Sequence, residues 1–176
     1  MMAQRDDFYY MSNNDYSAVD LSYRGGRYCM RIILPNHDID FAKVTSMLSN
    51  EMLEYISLHK HICEVDLKIP KFRIDTDVSL SKAFQTLGAA SMFDMATANF
   101  SNMSESSLFV DDILQKASID VNENGTEAYA VTHCYIAGSP IRRKVEFHAN
   151  HPFIYLLMDE CFNAVIFLGQ FMGYKH

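Results

Sequence analysis

Most of the residues able to do chemistry in this sequence stand without the partners that chemistry needs. His59 and His61 flank Lys60 and offer two imidazoles, but no third ligand for a metal lies nearby in the chain. The four cysteines, Cys29, Cys63, Cys134 and Cys161, contain no Cys-x-x-Cys pair, so zinc-ribbon and thioredoxin-like chemistry is not indicated. They read as free thiols, buried or half-buried as small hydrophobes. Ser139 has no histidine and acid placed to activate it, and Asp111-Asp112 has no constellation around it. No metal and no cofactor is expected. Arg142-Arg143-Lys144 is the only basic cluster and reads as a solvated loop. A net charge of −7 disfavours nucleic acid, whose phosphates are met by clustered Lys and Arg. The sequons at Asn99, Asn102 and Asn124 read as chance matches.

Residues 122–147 are of another kind. A connection this long with no obvious structural task is usually functional or disordered. Its pattern argues against disorder. Read as a strand, one face carries Thr126, Ala128, Ala130, Thr132, Cys134 and Ile136, all small or apolar and none charged. The other face carries Glu127, Tyr129, Val131, His133 and Tyr135. Such a segment has the chemistry of a strand waiting to insert into a sheet.

The elements around it are mostly strands. Tyr28, Met30, Ile32 and Leu34 share a face in a run that Pro35 ends, and Val19, Leu21 and Tyr23 alternate before it. Gly25-Gly26 supplies a hairpin turn between the two. From Asp40 to about Leu58, Phe41, Val44, Leu48, Met52 and Ile56 recur at helical spacing, which predicts one helix. Strand alternation returns at Val65, Leu67 and Ile69, and after Pro70 at Phe72 and Ile74. A second helix is expected from near Ser79, with Leu80, Ala83, Phe84 and Leu87 on one face and Gly88 as its C-terminal cap. A long strand runs from Ile113 to Val121. The apolar runs 153–158 and 164–168 suit strands buried on both faces. The fold class is α+β, with mixed sheets and few helices. No apolar stretch approaches the roughly 20 residues of a bilayer span. Residues 1–10 lack the architecture of a secretory signal.

Several runs together resemble one family. Val121-Asn122-Glu123-Asn124-Gly125-Thr126-Glu127-Ala128 looks like the hinge of a serpin reactive loop. Phe147-His148-Ala149-Asn150-His151-Pro152-Phe153-Ile154-Tyr155-Leu156-Leu157 looks like the signature that follows that loop. Met1-Met2, Ile69-Pro70-Lys71-Phe72 and Phe167-Leu168-Gly169 match in the family's order and spacing. The resemblance covers essentially the whole chain. It implies that residues 1–176 form the C-terminal portion of a single serpin domain, with an exposed reactive loop at 122–144. Family members are about twice this long, so the N-terminal half of the fold is an implied partner. The resemblance also makes 108–121 the fifth strand of the family's central sheet, with the third strand absent.

What the resemblance implies is trapping rather than catalysis. A protease's serine attacks the loop and forms an acyl-enzyme. The freed hinge side then enters the central sheet as an added strand, releasing stored strain. In that scheme Glu123, Gly125, Thr126, Ala128 and Ala130 form the hinge. Gly125 allows the change of direction, and small Ala128 and Ala130 avoid overpacking. The loop register places the reactive bond at Ser139–Pro140, with Gly138–Ser139 as the alternative because proline is a poor residue after a scissile bond. Either bond points to an elastase- or subtilisin-like serine protease with a small-residue pocket. The competing expectations are a non-inhibitory binding or chaperone module and an inactive truncated fragment. The family resemblance leans toward a secreted or extracytoplasmic location.

Overall fold

The alternation at 28–34 and the glycine pair before it fold as their pattern demands. Val19 and Leu21 lie on strand β2 (Tyr16–Ser22), which pairs antiparallel with β3 (Tyr28–Pro35). Gly25 (φ 92°) and Gly26 (φ 70°) make the turn, closed by the Gly26 amide donating to the Tyr23 carbonyl at 3.0 Å. Positive φ at both positions is where glycine is needed. The computed structural model describes residues 1–122 and 144–173. It divides into two compact units, one of residues 1–71 with 121–176 and one of residues 72–120.

The first unit is built on one seven-stranded sheet. Its strands are β1 (Met2–Ser12), β2, β3, β4 (His61–Ile69), and then three from the C-terminal part. These last are β7 (Lys144–His148), β8 (Phe153–Asp159) and β9 (Ala164–Phe171). The spatial order is β7-β4-β1-β2-β3-β8-β9. Only the β4–β7 pair is parallel; the other pairings in the described register are antiparallel. The sheet is therefore mixed, as expected.

The helical spacing at 41–56 yields two helices rather than one. They are α1 (Phe41–Met47) and α2 (Asn50–His59). The break falls at Leu48-Ser49, both extended, because Ser49 turns its hydroxyl onto the Met52 amide as an N-cap. Asp40 caps α1 in the same way through the Ala42 amide. Val44, Met52, Leu53 and Ile56 then lie in one buried cluster with Ala18, Cys29, Ile33, Ile154, Leu156 and Met158 from β2, β3 and β8. So the predicted apolar face survives the break.

A buried ion network crosses this layer. Arg31 on β3 stands opposite Asp20 on β2 and donates to both of its carboxylate oxygens, at 2.7 and 2.8 Å. Its third nitrogen donates to the Leu53 carbonyl and the Ser57 hydroxyl of α2. Lys60, the C-cap of α2, donates to Asp20 and to Glu160 beyond β8, each at 2.8 Å. Arg31 is wholly buried and Asp20 is 3% exposed. Burial works against the charge on Arg31 and on Lys60, yet the carboxylates facing them hold both above their ordinary pKa values.

Two strands depart from the sequence reading. The first is β1, which no alternation announced. It pairs with β4 through Met2–Tyr10 and with β2 through Tyr9–Ser12. Its buried residues Met2, Phe8 and Met11 change parity partway along. The second is β9. The run 164–168 was expected to be buried on both faces, but Val165, Ile166, Phe167 and Leu168 are exposed. The physical reason is position: β9 closes the described sheet and has β8 as its one neighbour. Its partner β8 meets the expectation, with every residue but Leu157 buried.

The second unit is lightly built. It holds a two-stranded sheet of β5 (Phe72–Ser79) and β6 (Leu114–Val121), with α3 (Ser81–Phe84) and two further turns at 85–93. Ser118 donates to Asp75 and Lys116 reaches Asp77, so contacts descend one strand as they climb the other, as in an antiparallel pair. The predicted second helix shrinks to α3, and the Ala83, Phe84 and Leu87 face is exposed. Gly88 (φ 97°) does adopt the left-handed geometry of a helix stop. The strand expected from 108 or 113 begins at Leu114. Among residues 72–120 only Phe72 is buried.

Two substitutions test these packing claims. Asp20→Ala removes both short carboxylate bonds of buried Arg31, leaving Glu160 at 3.8 Å, and is expected to cost about 3 kcal/mol, whereas Asp20→Leu combined with Arg31→Met recovers most of the loss. Denaturant midpoints read both. Gly169 lies opposite Tyr155 in the β8–β9 register, and a Cβ there would fall within the Tyr155 ring. Gly169→Ala is expected to destabilise by about 1–3 kcal/mol through overpacking. The same change in a Tyr155→Ala background should cost much less, as a double-mutant cycle would read directly.

Candidate functional site

The predicted hinge residues Glu123, Gly125, Thr126, Ala128 and Ala130 lie outside the described residues, as do Gly138, Ser139 and Pro140 of the predicted reactive bond. Arg142, Arg143 and Cys134 lie outside them too. What the structure describes is the pair of strands from which this segment leaves and to which it returns.

On the N-terminal side the chain leaves from β6. This strand is exposed along most of its length, and only Val121 at its end is buried. A two-stranded sheet gives each strand one neighbour among the described residues, so β6 is flanked by β5 alone. Asp112, just before β6, is exposed, and it has hydrogen-bond partners that no motif in the sequence indicated. It accepts from the hydroxyls of Ser79 and Ser81 and from the Ile113 amide. The Ser79 and Ser81 bonds hold its carboxyl below the ordinary range. Asp112 thus ties the end of β5 to the start of β6.

On the C-terminal side the chain returns through β7, and the anchorage is deep. Five residues of β7 register with Glu64 through Lys68 of β4. Phe147 is 1% exposed and meets the Tyr10 ring edge-on at 6.5 Å. The Ala149 amide continues the ladder by donating to the Lys68 carbonyl. The run after β7 is core: Phe153, Ile154 and Leu156 are buried, and Phe153 stacks on Phe171 of β9. His151 holds the connection in place, with Nε2 donating to the Pro35 carbonyl at 2.8 Å.

Other sequence candidates resolve into local roles. His59 stacks on Tyr55 and meets its carbonyl through Nδ1, while His61 opens β4 with its ring edge-on to Tyr10. Asn99 accepts from the amide and hydroxyl of Ser101 in a local turn. Cys29 and Cys63 are buried thiols as expected, but Cys161 is exposed, because it sits in the turn between β8 and β9. Asp20, Cys29 and Glu160 bring their ligand atoms within 4.8 Å of one another. Burial and then the Asp20 charge push the Cys29 thiol up, so it stays protonated and donates to Glu160 at 2.9 Å. No helix of the described residues is long and apolar enough to cross a membrane.

Sequence reasoning missed one grouping. Glu146, His148 and His151 face His37 across a cleft of about 360 Å³ that Tyr10, Ser17 and Pro35 also line. No motif spacing signals it, since His37 lies far along the chain from the other three.

A mixed seven-stranded sheet with two covering helices, and a long connection returning through a deeply anchored strand, define an α+β protein. The family model described as serpin (serine protease inhibitor) matches residues 1–173, and the chain belongs to that family. It is 33% identical to Iripin-8 of Ixodes ricinus, over 90% of this chain and 42% of that one. It is 32% identical to human Serpin B3, over 97% of this chain and 45% of that one. The solved serpin of the trematode Schistosoma haematobium superposes with a TM-score of 0.82 at 23% identity, covering 98% of this chain and 46% of that one. The match is to the C-terminal half of the serpin fold, and the chain spans less than half the length of these curated relatives.

That fraction has a physical consequence. Leu87, Met95, Met103, Leu114, Phe162 and Leu168 are each more than half exposed. Exposed apolar patches and unblunted strand edges drive association. The 176-residue chain alone is expected to self-associate and to bind a hydrophobic dye in light-scattering and fluorescence measurements. A monomer with a sharp two-state unfolding transition would contradict this.

Proposed function

We propose that the chain supplies the reactive loop, with the strands on either side of it, to a serpin-type inhibitor that traps a serine protease. Residues 1–176 are then the C-terminal portion of one serpin domain, and 122–144 its reactive loop. The observation that carries the reading is the inward face of that loop, with Thr126, Ala128 and Ala130 small and uncharged. It is supported by the family membership and by the strands that bound the segment, β6 and β7. The N-terminal half of the fold is the partner that completes the protein. It covers the apolar surfaces that this half exposes.

Insertion is driven by backbone pairing, at a net of roughly 0.5–1.5 kcal/mol for each hydrogen bond, together with burial of the inward face. The hinge at Glu123, Gly125, Thr126, Ala128 and Ala130 enters the sheet beside β6. The protease remains attached through its acyl bond, its active site distorted before deacylation. The cut falls within 137–140, at Ser139–Pro140 or Gly138–Ser139, which suits an elastase- or subtilisin-like enzyme.

The test uses the completed protein with both halves present. Thr126→Arg or Ala128→Arg is expected to convert inhibitor into substrate. An unpaired Arg entering the sheet costs several kcal/mol even after relaxation. That cost falls on insertion, not on acylation, so cleavage continues while the SDS-stable complex disappears. Glu127→Arg, on the outward face, should leave trapping largely intact. Mass spectrometry of the released peptide locates the bond. A sole cut after Arg142 or Arg143, with a trypsin-like enzyme inhibited, overturns the register. A wild type that neither forms a complex nor gains heat stability when cut overturns inhibition. A non-inhibitory binding or chaperone module, or an inactive fragment, then takes its place.

A further inference from the structure

We propose that His37, His148 and His151, with Glu146 beside them, bind a divalent transition-metal ion of the zinc class. The site stands apart from the reactive loop and does not depend on the inhibitory reading. His37 lies in the turn between β3 and α1, Glu146 and His148 on β7, and His151 just before β8. All four line the same cleft of about 360 Å³ within one unit.

The state of each ring supports a ligand role. Nε2 of His151 faces the Pro35 carbonyl at 2.8 Å, and a carbonyl only accepts, so that nitrogen carries the proton. The lone pair of the neutral ring is then on Nδ1. A ligating histidine whose other N–H is held by a backbone carbonyl is the usual arrangement at zinc, since that bond fixes tautomer and orientation. Nδ1 lies 2.9 Å from Oδ1 of Asn150, and exchange of that amide's oxygen and nitrogen presents its NH2 to the lone pair instead. Asn150 is exposed, so an incoming ion displaces it at little cost.

Nε2 of His148 is buried and has no hydrogen-bond partner among the described residues. An unmet buried polar atom costs about 1–3 kcal/mol, which a bound ion would remove. The His37 ring lies 5.1 Å from that of His151, tilted by 42°. Its side chain is exposed and makes no hydrogen bond among the described residues, so it is free to turn toward the ion. Glu146 lies two residues from His148 on β7, on the same face, and adds a carboxylate. Three imidazoles and a carboxylate suit zinc, nickel or copper rather than calcium or magnesium, which take oxygen ligands.

The grouping of Asp20, Cys29 and Glu160 is the tighter cluster but the poorer site. Arg31 and Lys60 already neutralise its carboxylates, and its thiol is held protonated. An ion at the histidine cleft would clamp the edge strand β7 to the turn that follows β3.

The experiment is a calorimetric titration of the full chain with zinc chloride, paired with its N-terminal half where solubility requires it. Ions are counted per chain, so association does not alter the reading. Cobalt(II) serves as the visible probe. One ion per chain is expected. His37→Asn and His148→Asn should each weaken binding about tenfold or more, the scale of losing even an outer partner of a metal site. His59→Asn should change nothing. His37→Asn sits on an exposed turn, so its reading survives if His148→Asn misfolds. No binding by the wild type overturns the proposal, as does binding unaffected by His37→Asn. A cobalt–thiolate charge-transfer band abolished by Cys29→Ser also overturns it, by placing the ion at the other cluster.

Discussion

The bidentate pair between Arg31 and Asp20 is the interaction on which the rest of the sheet depends. It joins the two central strands β2 and β3 side by side, and the spare nitrogen of Arg31 reaches into α2. Lys60 and Glu160 extend it to the end of that helix and to the turn after β8. Two cations and two anions balance, so the layer carries no uncompensated charge. A buried pair of this kind is weak evidence of net stability, since apolar packing often serves as well. What it supplies is register. A slip by one residue between β2 and β3 would part Arg31 from Asp20 and turn every side chain to the opposite face.

The same register determines where the sheet is strong and where it ends. β3 and β8 are buried on both faces, so the strands near the ion network form the deepest part of the molecule. Outward from them, β9 lies exposed despite an uncharged sequence. Neither Lys nor Pro blunts β9, which is how solitary edge strands are usually protected. A strand of that composition at an edge makes sense as an interior strand of a larger sheet. The relatives, more than twice as long, have the chain length to cover it.

How much could be read from residues alone follows from the same geometry. The β2–β3 hairpin was legible because alternation and a glycine pair are local signals. The segment 122–147 reads as an inserting strand because its two faces differ in chemistry over several repeats, and most of it lies outside the described residues. β1 was illegible because its buried residues Met2, Phe8 and Met11 do not keep one parity, so no period-two pattern marks it. The split between α1 and α2 was hidden because the apolar spacing continues across it, and only the capping bond of Ser49 marks the break. β9 was misread because an apolar run reports what a strand is built to touch, not what touches it in a given chain. The histidine cleft had no sequence signal, since three chain segments create it only after folding.

The two ends of the proposed reactive loop are held with very different strength, and this bears on which side can move. Phe147 is almost wholly buried, β7 runs in register with β4 for its full length, and the following run enters the core of β8. β6 buries Val121 alone and has a single strand neighbour among the described residues. Among the described residues β6 and β7 each have one strand neighbour; what separates them is burial, since β7 carries the buried Phe147 and β6 buries only Val121 at its end. Cleavage at 137–140 would leave a short stub on β7 and a long arm on β6, with all five hinge residues on the long arm. In the proposed mechanism the arm that moves is the one whose base, β6, is the less deeply buried. The stub stays with the strand that Phe147 and the β4 ladder anchor. The unequal burial of the two anchors is what the proposed insertion from the hinge side would use.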